Sequence, residues 1–157
     1  MKVLFLGDVV GNSGRMAIKK ELKNQIIKNN IEFVIANGEN AAEEGVGITK
    51  IISEEFFNSG VDVITTGNHV WDQKETADYI NIENRLLRPL NLIKPSPGKG
   101  FEVFKSKQGF KVGVLNLMGN VFMKKCENVF DVAKEFLQKK KIKKRLRFFI
   151  YRFSWRD

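Results

Sequence analysis

The chain has 157 residues, of which 43% are hydrophobic and 29% charged, and a formal net charge of +9. That length allows one domain with a modest core. It contains no apolar run long enough to cross a bilayer, so no transmembrane helix is expected. The charge is uneven: residues 139–157 hold nine Lys and Arg against one acid, whereas the first 138 residues hold 18 against 17. The body is therefore close to neutral, and the excess does not mark a folded nucleic-acid-binding face. The single cysteine, Cys126, has no internal disulfide partner; it reads as a structural residue in a reducing, cytoplasmic setting.

Residues 2–7 read as a buried first strand ending at Gly7-Asp8, too short and too soon interrupted by an acid for a signal peptide. A loop of Gly, Asn and Ser spans Gly11 to Gly14, and Met16, Ile18, Leu22, Ile26 and Ile27 give helical spacing over 15–29. A second apolar run, 32–36, ends in Asn37-Gly38-Glu39-Asn40, followed by a Gly- and Glu-rich loop through Gly47. Thr49 suits the N-cap of a helix over 51–58. A third run, 61–66, ends in Gly67-Asn68-His69, and a short helix is expected over 72–80. Strands alternating with helices predict a mostly parallel sheet flanked by helices, an α/β fold. Pro95, Pro97, Gly98 and Gly100 interrupt this pattern. Residues 101–105 and 111–117 then read as two strands joined by a turn at Gln108-Gly109, and 127–138 as a helix. The low-complexity stretch is Lys-rich, 139–145.

Three successive strands thus end in polar, Gly-flanked turns. Carboxyl ends of parallel strands line the functional crevice of such sheets, so Asp8, Glu39, Asn40, Asn68 and His69 are expected to converge. Each turn alone is ordinary turn chemistry. Together they supply carboxylate, carboxamide and imidazole donors for hard or borderline divalent cations. A carboxylate can bridge two such ions about 3.5–4 Å apart.

Gly67-Asn68-His69 resembles the signature of calcineurin-like metallophosphoesterases. The run from Met1 to about Phe122 resembles one bacterial branch, the YmdB-type 2′,3′-cyclic-nucleotide phosphodiesterases. The matching segments include 1–11, Phe33 to Ala42, Gly60 to Asp72, Arg85 to Pro89 and Asn116 to Gly119. The resemblance implies the N-terminal half of an αββα sandwich. It implies metal ligation by Asp8, by Glu39 as the bridging carboxylate, and by Asn40 and Asn68 as amide donors. His69 would be the catalytic acid that protonates the leaving ribose oxygen. The family's cofactor would be two ions of iron, manganese or magnesium, and its substrate a cyclic nucleotide or RNA-derived phosphodiester.

The family pattern continues with an Asp-Phe-His-Gly-Glu strand and a Gly-x-His-x-His turn that this chain lacks. At most one weakly held ion and little activity are therefore expected. Residues 1–138 are expected to form a partial metallophosphoesterase domain and 139–157 a basic, aromatic tail. Back-translated with A/T-rich codons and read one base later, the tail yields Asp-Phe-Leu-Phe-Ile-Asp-Phe-His-Gly-Glu; the His depends on one choice of serine codon. A frameshift in the lysine run is the corresponding hypothesis. The alternative is a non-catalytic protein that binds nucleic acid or an anionic membrane through the tail, and weak polyanion attraction would follow from its charge in any case. Half a sheet would also expose an edge and an apolar face.

Overall fold

A computed structural model describes residues 1–93, 95–121, 126–139 and 146–154. The elements follow in the order β1 (Val3–Leu6), α1 (Gly11–Asn29), β2 (Phe33–Asn37), α2 (Lys50–Ser59), β3 (Val63–Thr65), α3 (Thr76–Ile82), β4 (Leu86–Leu87), β5 (Phe101–Lys105), β6 (Lys111–Met118), α4 (Val129–Lys139) and β7 (Phe148–Ser154). The first four strands form one parallel sheet in the order β1-β2-β3-β4. The last three form a second sheet in which β5 and β6 are antiparallel, while β7 runs parallel to β6.

Side-chain alternation along the strands sorts the buried residues into three layers. Val34 and Ala36 of β2 face the helices and share a cluster with Ile18, Leu22 and Ile26 of α1 and with Ile52 and Phe56 of α2. Phe33 and Ile35 face the other way and meet Val112 and Val114 of β6, with Phe148 and Ile150 of β7 packed against them. On the far side of β6, Leu115 and Leu117 pack on Val129, Phe136 and Phe149. The layers are thus helices, sheet, sheet, helix. Every residue of β2 is buried, as expected of a strand covered on both faces. Asn116 joins the sheets, donating to Thr66 O (2.8 Å) and Leu87 O (2.9 Å).

Several boundaries differ from expectation. α1 begins at Gly11, so the Gly-rich stretch 11–14 forms its first turn; Gly11 N donates to Asn40 O (2.9 Å) and Gly14 N to Val10 O (3.1 Å). α2 begins after Thr49, whose hydroxyl accepts from Ile52 N (3.2 Å). α3 begins only at Thr76, because residues before it close a turn in which Asp72 N donates to His69 O (3.1 Å).

The largest difference concerns 139–157, expected as a tail. Residues 148–154 of that segment are paired along the whole of β7 with Val112 to Met118. The physical reason lies in the alternation Phe148, Ile150, Arg152 on one face and Phe149, Tyr151, Phe153 on the other. The first face meets the intersheet core and the second places Phe149 on Phe101 (ring centroids 5.9 Å apart) and beside Tyr151 (4.4 Å). Most of the lysine run, 140–145, and residues 155–157 lie outside the described residues.

Candidate functional site

The parallel order of β1, β2 and β3 brings their C-terminal turns side by side. Val9 N donates to Asn37 O (3.1 Å) and Gly38 N to Thr65 O (3.0 Å), which ties the three turns together through the backbone. Asp8 is an exposed residue, yet its carboxylate is held: Oδ1 accepts from Asn37 Nδ2 (2.5 Å) and Oδ2 from Asn40 Nδ2 (2.7 Å). Partial desolvation of the carboxylate, though the residue as a whole is exposed, raises its pKa above the ordinary value and the nearby Glu39 carboxylate adds to this, against the opposing effects of the Asn40 hydrogen bond and Arg152.

Glu39 is 4% exposed. It reaches its position because residue 67 lacks a side chain: a Cβ on Gly67 would overlap the Glu39 carboxylate. Arg152, 8% exposed, lies against it. Its Nη2 is 3.3 Å from Glu39 Oε2 and its Nη1 donates to Thr66 O (2.8 Å). Burial pulls the guanidinium pKa down, and Glu39 and Asp8 counter that. Thr66 O also accepts from Asn116, so the last residue before Gly67 is clamped from the second sheet by two side chains.

His69 is half-buried, and its Nδ1 lies 2.6 Å from Asp72 Oδ2. That contact selects the ring orientation and leaves Nε2 as the atom for proton transfer. His69 joins the cluster through the turn that carries Gly67. Asn68 is half-buried beside it. Asp8, Glu39 and Asn40 are therefore in one cluster, with Asn68 and His69 on its flank.

Three participants go beyond the sequence expectations. Asp72 stands three residues from His69, the spacing of a turn contact, and could have been read from it. Asn37 sits one residue before the Gly-Glu-Asn turn. Arg152 carries no local signal, since its place depends on the pairing of β7 with β6 over residues far apart in the chain.

The donor chemistry suits one hard divalent cation, with Asp8 and the amides of Asn40 and Asn68 as candidates. Among the described residues no group of three or more His, Cys, Asp and Glu is arranged to hold a metal ion. Glu39, the expected bridge, faces a guanidinium instead, and the Asn40 amide is hydrogen-bonded to Asp8.

Comparison with known proteins places this geometry among phosphoesterases. A family described as "YmdB-like protein" matches residues 4–153. The 2′,3′-cyclic-nucleotide 2′-phosphodiesterase of Bacillus subtilis (strain 168) is 41% identical over 137 residues, covering 87% of this chain and 51% of that protein. The crystal structure of a novel phosphatase from Mycoplasma pneumoniae superimposes with a TM-score of 0.85 at 34% identity, over 98% of this chain and 54% of the other. A hypothetical protein from Thermus thermophilus gives the same TM-score of 0.85 at 32% identity, over 98% and 57%. The chain spans about half the length of the curated relatives it matches.

Proposed function

This chain belongs to the YmdB-like family, and from that premise we propose that it carries one side of the active site of a metal-dependent phosphodiesterase acting on 2′,3′-cyclic nucleotides or related RNA-derived phosphodiesters. The observation that carries the reading is the convergence of Asp8, Asn37 and Asn40 in one hydrogen-bonded cluster at the strand ends. Asp8, Asn40 and Asn68, with Glu39 once it is released from Arg152, are the residues that would hold an ion. When bound, such an ion polarises a phosphoryl oxygen and neutralises developing charge. His69 supplies the proton for the leaving ribose oxygen from Nε2 of its doubly protonated ring, and Asp72, accepting from Nδ1–H, holds the ring in place for that transfer. Gly67 keeps its turn backbone close to the Glu39 carboxylate, while Gly38 lets its turn lie against Ile48 and Ile64 of the core.

Residues 1–138 are read as the partial metallophosphoesterase domain, to which β7 adds a strand, and the sequence of 139–157 as the product of a shifted frame, with Arg152 and Ser154 standing where the other frame places Asp and His. The setting is read as cytoplasmic; among the described residues no helix is long and apolar enough to cross a membrane. A hydrolysis assay on 2′,3′-cyclic AMP with manganese tests the reading. Turnover is expected far below that of the Bacillus subtilis relative, and His69→Ala should abolish whatever remains. A rate matching that relative would refute the one-sided site, and a residual rate indifferent to His69→Ala would refute its role. The genomic DNA under the tail tests the frameshift: a downstream frame without Gly-x-His-x-His removes it.

A further inference from the structure

Two carboxylates approach each other in this site, and one positive charge already lies between the sheets to meet them. Glu39 is nearly fully buried, so leaving it ionised without a partner would be costly. Arg152 is equally enclosed, and its two amino groups are divided between Glu39 Oε2 and the Thr66 carbonyl. The guanidinium does not arrive on a flexible arm. Arg152 is the fifth of seven paired positions between β7 and β6, on the face that looks toward the first sheet. A divalent ion bridging Asp8 and Glu39 would therefore have to displace a guanidinium anchored by backbone pairing, or share a desolvated site with it.

We infer that Arg152 is a built-in cation that takes the metal's place at Glu39, so that this chain folds without a divalent ion and binds one weakly, through Asp8 alone among its carboxylates. The inference rests on the proposed reading of Asp8 and Glu39 as metal positions. It goes further in assigning Glu39 to Arg152 and in making metal affinity a property of residue 152.

Three consequences separate this arrangement from an ordinary structural ion pair. The wild-type chain should melt at the same temperature in EDTA and in millimolar manganese. Arg152→Gln removes the charge but retains a hydrogen-bonding side chain. Without metal this variant should melt lower, because the buried Glu39 carboxylate loses the Arg152 guanidinium. Its manganese affinity should rise at least about tenfold, the lower bound set by removing one like charge some 5 Å from a doubly charged ion at the dielectric constant of water. Adding manganese should then restore part of its melting temperature. In the double variant Arg152→Gln, Glu39→Gln the gain in affinity should disappear.

The experiment is a calorimetric titration with manganese chloride on the full chain and these variants, alongside thermal denaturation with and without the ion. The inference is overturned if manganese raises the melting temperature of the wild-type chain by several degrees, a measurement that needs no variant to fold. It is also overturned if folded Arg152→Gln binds manganese no tighter than wild type. Should wild type bind tightly and lose that binding in Glu39→Gln, the metal reading of the site stands and the role of Arg152 falls. Should neither wild type nor folded Arg152→Gln bind manganese at all, the metal reading falls and takes the inference with it.

Discussion

At the scale of single residues, the same ion-pair chemistry has different consequences depending on where it is placed. Arg152 and Glu39 are both enclosed, so their pairing mainly avoids a penalty and adds little net stability. Glu83 and Arg85 pair near the surface, where Arg85 Nε and Nη2 meet the two oxygens of Glu83 at 2.9 and 2.7 Å and the guanidinium lies 3.7 Å over the Phe57 ring. The Arg85 hydrogen bond holds the Glu83 carboxyl below its ordinary value of 4.5, against the opposing effect of burial. A carboxyl depressed in the fold contributes stability that is present above its unfolded pKa and is lost as pH falls through its folded value. Glu83→Gln should therefore cost about 0.5–1 kcal/mol at pH 7, discounted because Arg85 is substantially exposed. The difference from wild type should shrink toward zero in strong acid. Urea denaturation of both proteins across that pH range checks this, and a loss of equal size at both ends would assign Glu83 a packing role instead.

At the scale of elements, β7 shows what local pattern can and cannot reveal. Phe149 packs on Phe101 and beside Phe136, joining α4, β5 and β7 in one aromatic cluster. Phe149→Ala should cost about 2 kcal/mol, less than the 3–5 of a fully buried Phe because the side chain is only half-buried. In a free tail the same change would leave the denaturation midpoint where it was. β2 and β3 were legible because parallel strands covered on both faces read as short apolar runs with punctuated ends; β1 has the same run and ending but is an edge strand, not the buried one expected, with Val3 and Phe5 exposed. Thr49 was legible as a cap because its hydroxyl does local work. The 15–29 helix was found but its first turn was not: Gly11 and Gly14 look like loop residues, and only the close approach of Val9 to Gly14 explains a glycine there. β4, two residues long, offers no period to read. β7 was hidden by its basic and aromatic composition, and Arg152 with it, because a buried arginine is recognisable only once Glu39 and Thr66 are known to face it.

At the scale of the molecule, the two sheets protect their shared face unequally. The first sheet extends to β1, whose backbone pairs only with β2 among the described strands. On its intersheet side Val3 and Phe5 remain 38% and 45% exposed, although Phe33 and Ile35 on the neighbouring strand are wholly buried. The second sheet therefore covers β2 and stops short of β1. On the opposite side of β1 an open cavity of about 500 Å³ runs between the strand and α1, lined by Leu4, Leu6, Ile18, Leu22 and Ile31 among others. An edge strand with apolar side chains on both faces and an open rank of backbone donors and acceptors is a template for pairing with another chain. The net charge of +9 opposes association at low ionic strength and is screened as salt rises, since the Debye length falls to about 8 Å near 0.15 M. Self-association should therefore increase with protein concentration and with salt, the reverse of what a polyanion-bridged aggregate would do. Phe5→Lys places a charge on the exposed edge while its aliphatic stem can still lie along the intersheet face of β1, so it should reduce the associated fraction without unfolding the chain. Sedimentation velocity at low and moderate salt, on wild type and Phe5→Lys, decides the point: a wild type that stays monomeric in both, or a variant that associates as readily as wild type, would mean that β1 is not the sticking edge.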